Sequence, residues 1–157
     1  MIVYEANALV EEFKEQLVAP RQSAPLRIEG WTPPREGWYK VNVDGAMFKG
    51  SGSCGIGIVI RNKKDLLMGV MSKKMDIALG ALEVEAKAFE EGILLARDLG
   101  LKDIVLEGDV KVVTDALAGS SSPLSSIQMI IEGFQRWKLN VHAWRVSYVG
   151  QVIFLPI

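Results

Sequence analysis

A chain of 157 residues, 49% of them hydrophobic, can bury one substantial core, which predicts one domain plus an appendage. Lys and Arg total 18 against 19 Asp and Glu, so a net charge of -1 excludes a globally basic nucleic-acid binder and leaves any polyanion to a local patch or a metal. The lone Cys54 allows no internal disulfide, the N-terminus lacks a secretory pattern, and no apolar run nears the ~20 residues that span a bilayer. A soluble, monomeric, intracellular protein is expected, with no membrane partner.

Residues 4–17 place Leu9, Val10, Phe13 and Leu17 on one side, which predicts an amphipathic helix. Pro20, Pro25, Pro33 and Pro34 then break regular structure, so residues 1–37 read as a helix plus linker ahead of a domain over 38–149. Tyr39, Val41 and Val43 alternate with Lys40, Asn42 and Asp44, the period of a half-buried strand over 38–48. "GIGIVIRN" and "LLMGVMSKK" supply two more strands, joined by short polar loops into an antiparallel meander. The period then lengthens to that of a helix over 81–99. "KDIVLEGD" reads as a strand, "VKVVTDAL" as a short helix closed by Gly119, 124–137 as a helix entered through Pro123, and "VHAWRVSYV" as a fifth strand. The order βββαβααβ predicts an α/β domain with a mixed five-stranded sheet, three strands antiparallel and the rest reached by crossover helices.

Three carboxylates sit where carboxylates are disfavoured. Asp44 follows the alternating strand and precedes Gly45; the plain reading is a turn former. On a wheel of about 100° per residue, Glu85 is the only charge in the middle of the apolar face of helix 81–99. Glu83, Lys87, Glu90, Glu91, Arg97 and Asp98 fall roughly 120° or more away. A buried carboxylate needs a partner, a proton or a metal. Asp109 ends a strand where a helix begins, a place for an N-cap or for a site in the crevice beside a crossover. Acidic oxygens without His or Cys suit a hard cation such as Mg²⁺ or Mn²⁺. Two such ions roughly 3.5–4 Å apart can activate water and stabilise a leaving oxygen in phosphodiester hydrolysis.

"WTPPREGWYKVNVDGA", "GIGIVIRN", "EVEAKAFEEGILLARDLGLKDIVLEGD" and "VVTDAL", in this order, resemble the type 1 ribonuclease H domain, in the plant subgroup related to non-LTR retrotransposon reverse transcriptases. The resemblance implies that Asp44, Glu85 and Asp109 are catalytic and metal-binding, with Val84 and Gly108 departing from the family's usual Ala and Ser. It implies an RNA/DNA hybrid as partner, endonucleolytic cleavage of its RNA strand, and Gly45, Ala46, Lys49 and Arg61 against the nucleic acid. Residues 35–80 carry eight cationic against four acidic side chains, a local excess that suits either a phosphate backbone or a solvated face. The family's fourth carboxylate and last helix have no counterpart in "VSYVGQVIFLPI"; residues 150–157 read as an atypical apolar tail, with the C-terminal helix missing. His142 does not replace them, since it alternates with Trp144 and Val146 as a packed or edge residue, and Asp115 reads as surface. The alternative expectation is an inactive ribonuclease H-like remnant that binds nucleic acid, or an interaction module using the N-terminal helix.

Overall fold

The computed structural model describes the backbone of residues 2–5 and, in full, residues 32–48 and 50–149. Strands β1 (Ile2–Glu5), β2 (Tyr39–Phe48), β3 (Ser53–Arg61), β4 (Leu67–Met75), β5 (Asp103–Gly108) and β6 (Ala143–Tyr148) form one sheet in the order β1-β4-β3-β2-β5-β6. Helices α1 (Ala81–Asp98), α2 (Lys111–Ala118) and α3 (Gln128–Trp137) provide the crossovers. β2, β3 and β4 pair antiparallel, whereas β2–β5 and β5–β6 pair parallel, so the five expected strands and their mixed sense are present.

β1 adds a sixth strand, parallel to β4. Tyr4 and Glu5 therefore do not open a helix. The β-branched Ile2 and Val3 suit pairing with an otherwise open sheet edge, which takes Tyr4 and Glu5 into the strand. The rest of the expected helix, most of the linker, Lys49 and the tail 150–157 lie outside the described residues.

α1 covers one face of the sheet. Ala88, Phe89, Ile93 and Ala96 pack with Val41, Val43, Ile58, Ile104 and Leu106 in one core. Gly92 permits the close approach: a Cβ there would lie 2.9 Å from Val43 Cγ1. The opposite face of β2 and its neighbours carries Lys40, Asn42, Arg61, Ser72 and Glu107, all buried.

α3 begins later than expected, because Pro123 leads first into a turn in which the Ile127 N–H donates to the Leu124 carbonyl at 3.0 Å. It packs on α1 and covers Glu90, which is 7% exposed, paired with Lys87, and close enough to Gly133 that a Cβ there would collide with it. The wheel sets Glu90 away from the sheet-facing arc, because the wheel of a single helix registers the sheet and not a second helix at its flank. No helix among the described residues is long and apolar enough to cross a membrane.

Candidate metal centre

The β2–β5 ladder runs from Tyr39↔Ile104 to Asn42↔Glu107 and stops there. β2 continues to Phe48 paired with β3, so from Val43 onward its other edge opens into a notch. Asp44 and Gly45 thus lie inside a strand, not in a turn. What ends near Asp44 is the pairing with β5.

Glu85 enters the notch from α1. Gly45 makes this possible: a Cβ there would lie 2.9 Å from the Val84 carbonyl carbon, so only glycine lets helix and strand backbones meet. The Gly45 N–H donates to Glu85 Oε2 at 3.1 Å. Gly108 leaves room on the other side, where a Cβ would fall 2.7 Å from Glu85 Oε1 and 2.6 Å from Phe89 Cζ. Asp109 follows Gly108 and does not cap α2. The cap residue is Val110, with no side-chain cap hydrogen bond, so the capping explanation of this Asp fails.

One carboxylate oxygen from each of Asp44, Glu85 and Asp109 lies within 4.8 Å of the others. Asp44 is exposed at the mouth, Asp109 is half-buried, and Glu85 is 2% exposed. Burial, then the charges of Asp109 and Asp44, raise the Glu85 carboxyl from its ordinary 4.5 to about 8, against the opposing pull of the Gly45 and Asp109 amides. Crowding by the surrounding chain and the charge of Asp109 raise Asp44 from 3.8 to about 6, although the residue keeps solvent contact. Glu85 Oε1 is buried and makes no hydrogen bond of normal geometry among the described residues, although the Asp109 amide lies near enough to favour the charged carboxyl. An orphaned oxygen among three converging carboxylates calls for a proton or a cation, and an all-oxygen donor set fits a hard divalent ion.

The remaining expected contacts divide. Ala46 is exposed beside Asp44. Arg61 is 3% exposed, with its Nε 3.5 Å from Asp65 Oδ1, so its expected place against a nucleic acid is corrected to a buried one. Lys40 is also buried, 2.8 Å from Glu107, so neither it nor Arg61 contributes to an open cationic patch, whereas Arg35, Lys63, Lys64 and Lys74 are exposed. Strand alternation placed both cations on the polar side; it carries no information about what covers that side. Asp115 pairs with Lys111 at 2.8 Å on the surface of α2. His142 precedes β6 and is exposed, with Nδ1 2.8 Å from Asp103 Oδ1, far from any role as a fourth ligand.

The model of the family described as reverse transcriptase-like matches residues 42–150. The chain belongs to that family. As a reverse transcriptase-like domain of ribonuclease H type, it is 30% identical over 135 residues to an Arabidopsis thaliana protein named as a ribonuclease H protein, a match covering 82% of this chain. It spans 22% of that relative's length. Ribonuclease H1 from Halobacterium salinarum superposes with a TM-score of 0.67 at 18% identity, over 73% of this chain and 86% of the other. LC11 ribonuclease H1 in complex with an RNA/DNA hybrid superposes with a TM-score of 0.65 at 14% identity, over 72% and 86%. At these identities the likeness is one of fold, and the fold is that of ribonuclease H.

Proposed function

We propose that this reverse transcriptase-like domain is a metal-dependent endonuclease that cleaves the RNA strand of an RNA/DNA hybrid. The observation that carries the reading is the convergence of Asp44, Glu85 and Asp109 around the orphaned Oε1 of Glu85. The hybrid as substrate draws on the ribonuclease H name of the Arabidopsis relative and on the hybrid bound by LC11 ribonuclease H1.

Asp44, Glu85 and Asp109 would hold Mg²⁺ or Mn²⁺. Bound there, the ion supplies Lewis-acid polarisation of a phosphoryl oxygen and of the attacking water. The chain's own groups set the conditions. The Gly45 N–H fixes Oε2 of Glu85 and leaves Oε1 as the free donor. Glu85, held near 8, must release a proton for that oxygen to serve as an anionic ligand, which couples cation binding to pH. Asp44, exposed at the notch, keeps the site open to a phosphate backbone.

A binding-only role is the second reading, favoured by the fact that the cluster holds three carboxylates among the described residues. One assay separates the two. A labelled hybrid is incubated with the chain in Mg²⁺ or Mn²⁺, with Asp44→Asn as the blank. The expected result is cleavage confined to the RNA strand, lost in chelator and reduced about 10²–10³-fold by the substitution. Binding of the hybrid with no cleavage in either ion would establish the second reading instead.

A further inference from the structure

Asn42↔Glu107 is the last pair of the β2–β5 ladder, and each residue stands two positions before a carboxylate of the cluster, Asp44 on β2 and Asp109 on β5. The end of a parallel ladder has no further backbone bonds to hold it. Here that end also has to place Asp44 and Asp109, one carboxylate oxygen of each lying within 4.8 Å of the other.

Side chains reinforce this end of the ladder. Asn42 Nδ2 donates to Glu107 Oε2 at 3.2 Å, and Lys40 Nζ lies 2.8 Å from Glu107 Oε1. Lys40 also donates to Thr32 Oγ1 at 3.2 Å and to the Thr32 carbonyl. One β5 carboxylate thus spans two β2 side chains on the same face, with both oxygens engaged. An ionised carboxylate only accepts, so Asn42 must present its NH₂ to Glu107. The Lys40 charge balances Glu107, which therefore does not add a fourth repelling charge beside the cluster.

We infer that Asn42, Glu107 and Lys40 are positioning residues, a cross-strand clamp that sets the separation of Asp44 from Asp109 for a shared cation. The inference rests on the metal-centre reading above. Stability alone does not account for the clamp, because buried ion pairs are commonly replaceable by apolar side chains without loss of stability. Its place does account for it: it sits at the last pair of the ladder, two residues before Asp44 and Asp109.

The test is Mn²⁺ affinity of the whole 157-residue chain, followed by the paramagnetic signal of the free ion at a temperature where every variant is folded. Asn42→Val and Glu107→Leu remove the clamp, and Ile127→Val trims a core residue outside both the clamp and the carboxylate cluster as the control. Asn42→Ser, which keeps a small polar side chain, takes the place of Asn42→Val should the latter fail to fold. The clamp variants are expected to bind Mn²⁺ about 10–100-fold more weakly, as losses of supporting groups behind metal ligands do, with the control within about twofold of the parent. Parent and clamp variants binding alike would overturn the clamp and leave the metal centre standing. A parent chain that binds no Mn²⁺ would overturn both.

Discussion

The Gly45 amide satisfies one oxygen of Glu85, at 3.1 Å, and the other oxygen of the same buried carboxyl makes no hydrogen bond of normal geometry among the described residues. A half-satisfied acid in a crowded anionic notch holds its proton, and the pH dependence of stability follows. Glu85 rises from 4.5 to about 8 on folding, so the folded state binds more protons than the unfolded one between those values. Stability in the absence of metal is then greatest below about pH 4 as far as this group is concerned, and falls as pH rises towards 8. The loss is on the order of a few kcal/mol by the conversion of pKa shift to free energy. Asp44 acts in the same direction between 3.8 and about 6, with a smaller effect because solvent screens it. Glu85→Gln removes the larger contribution. Urea denaturation from pH 4 to 9 should therefore show a flatter profile for the variant, and a metal-free stability at pH 8 equal to or above the parent's.

A cation held by the proposed centre would reverse that penalty. An ion that binds only the folded cluster stabilises it by mass action, about 2.7 kcal/mol at a hundred times its Kd. Mn²⁺ or Mg²⁺ at millimolar levels should raise Tm, more at pH 8 than at pH 6 because Glu85 must lose its proton first. Asp44→Asn should abolish most of the increase. A Tm indifferent to both ions would argue against the centre.

Much of this site was legible in the order of residues. Glu85 stood out because a helix has a fixed period, and a single charge inside an apolar arc must face the packed side. Asp109 was more ambiguous, since a strand end and a helix start coincide there, and only the cap geometry at Val110 rules out the cap. The buried positions of Lys40 and Arg61 were invisible for a different reason. Alternation says which face a side chain takes, not what lies over that face, and both read as cations available to phosphate until their burial was seen. Glu90 and β1 were missed likewise, one through contact with a second helix and the other through an edge completed by a distant segment. Local periodicity registers the nearest layer only.

Gly45 was expected to admit a nucleic-acid backbone; the structure gives it an internal task as well. Gly45→Ala would drive a methyl to 2.9 Å from the Val84 carbonyl carbon and 3.0 Å from its oxygen, both backbone atoms that cannot rotate away. Such overpacking should cost about 1–3 kcal/mol. It should also displace α1 and lengthen the bond to Glu85, so Mn²⁺ affinity falls with stability. Denaturation and metal titration of the one variant check both effects.

The buried Lys40–Glu107 pair allows stability and positioning to be pulled apart. Lys40→Met removes the cation 2.8 Å from a carboxylate that is itself 4% exposed, leaving a buried charge with only Asn42 to answer it among the described residues. Breaking one side of such a pair should cost about 3–5 kcal/mol in urea denaturation. Replacing both partners, Lys40→Met with Glu107→Leu, removes the stranded charge and should recover most of that loss, since apolar pairs of similar volume are often neutral in such places. Asn42 then has no carboxylate to grip, and nothing but the backbone ladder sets the distance from Asp44 to Asp109. The double variant should therefore be well folded and still bind Mn²⁺ about tenfold or more below the parent. Recovery of Mn²⁺ affinity along with stability would show that the pair serves only the fold.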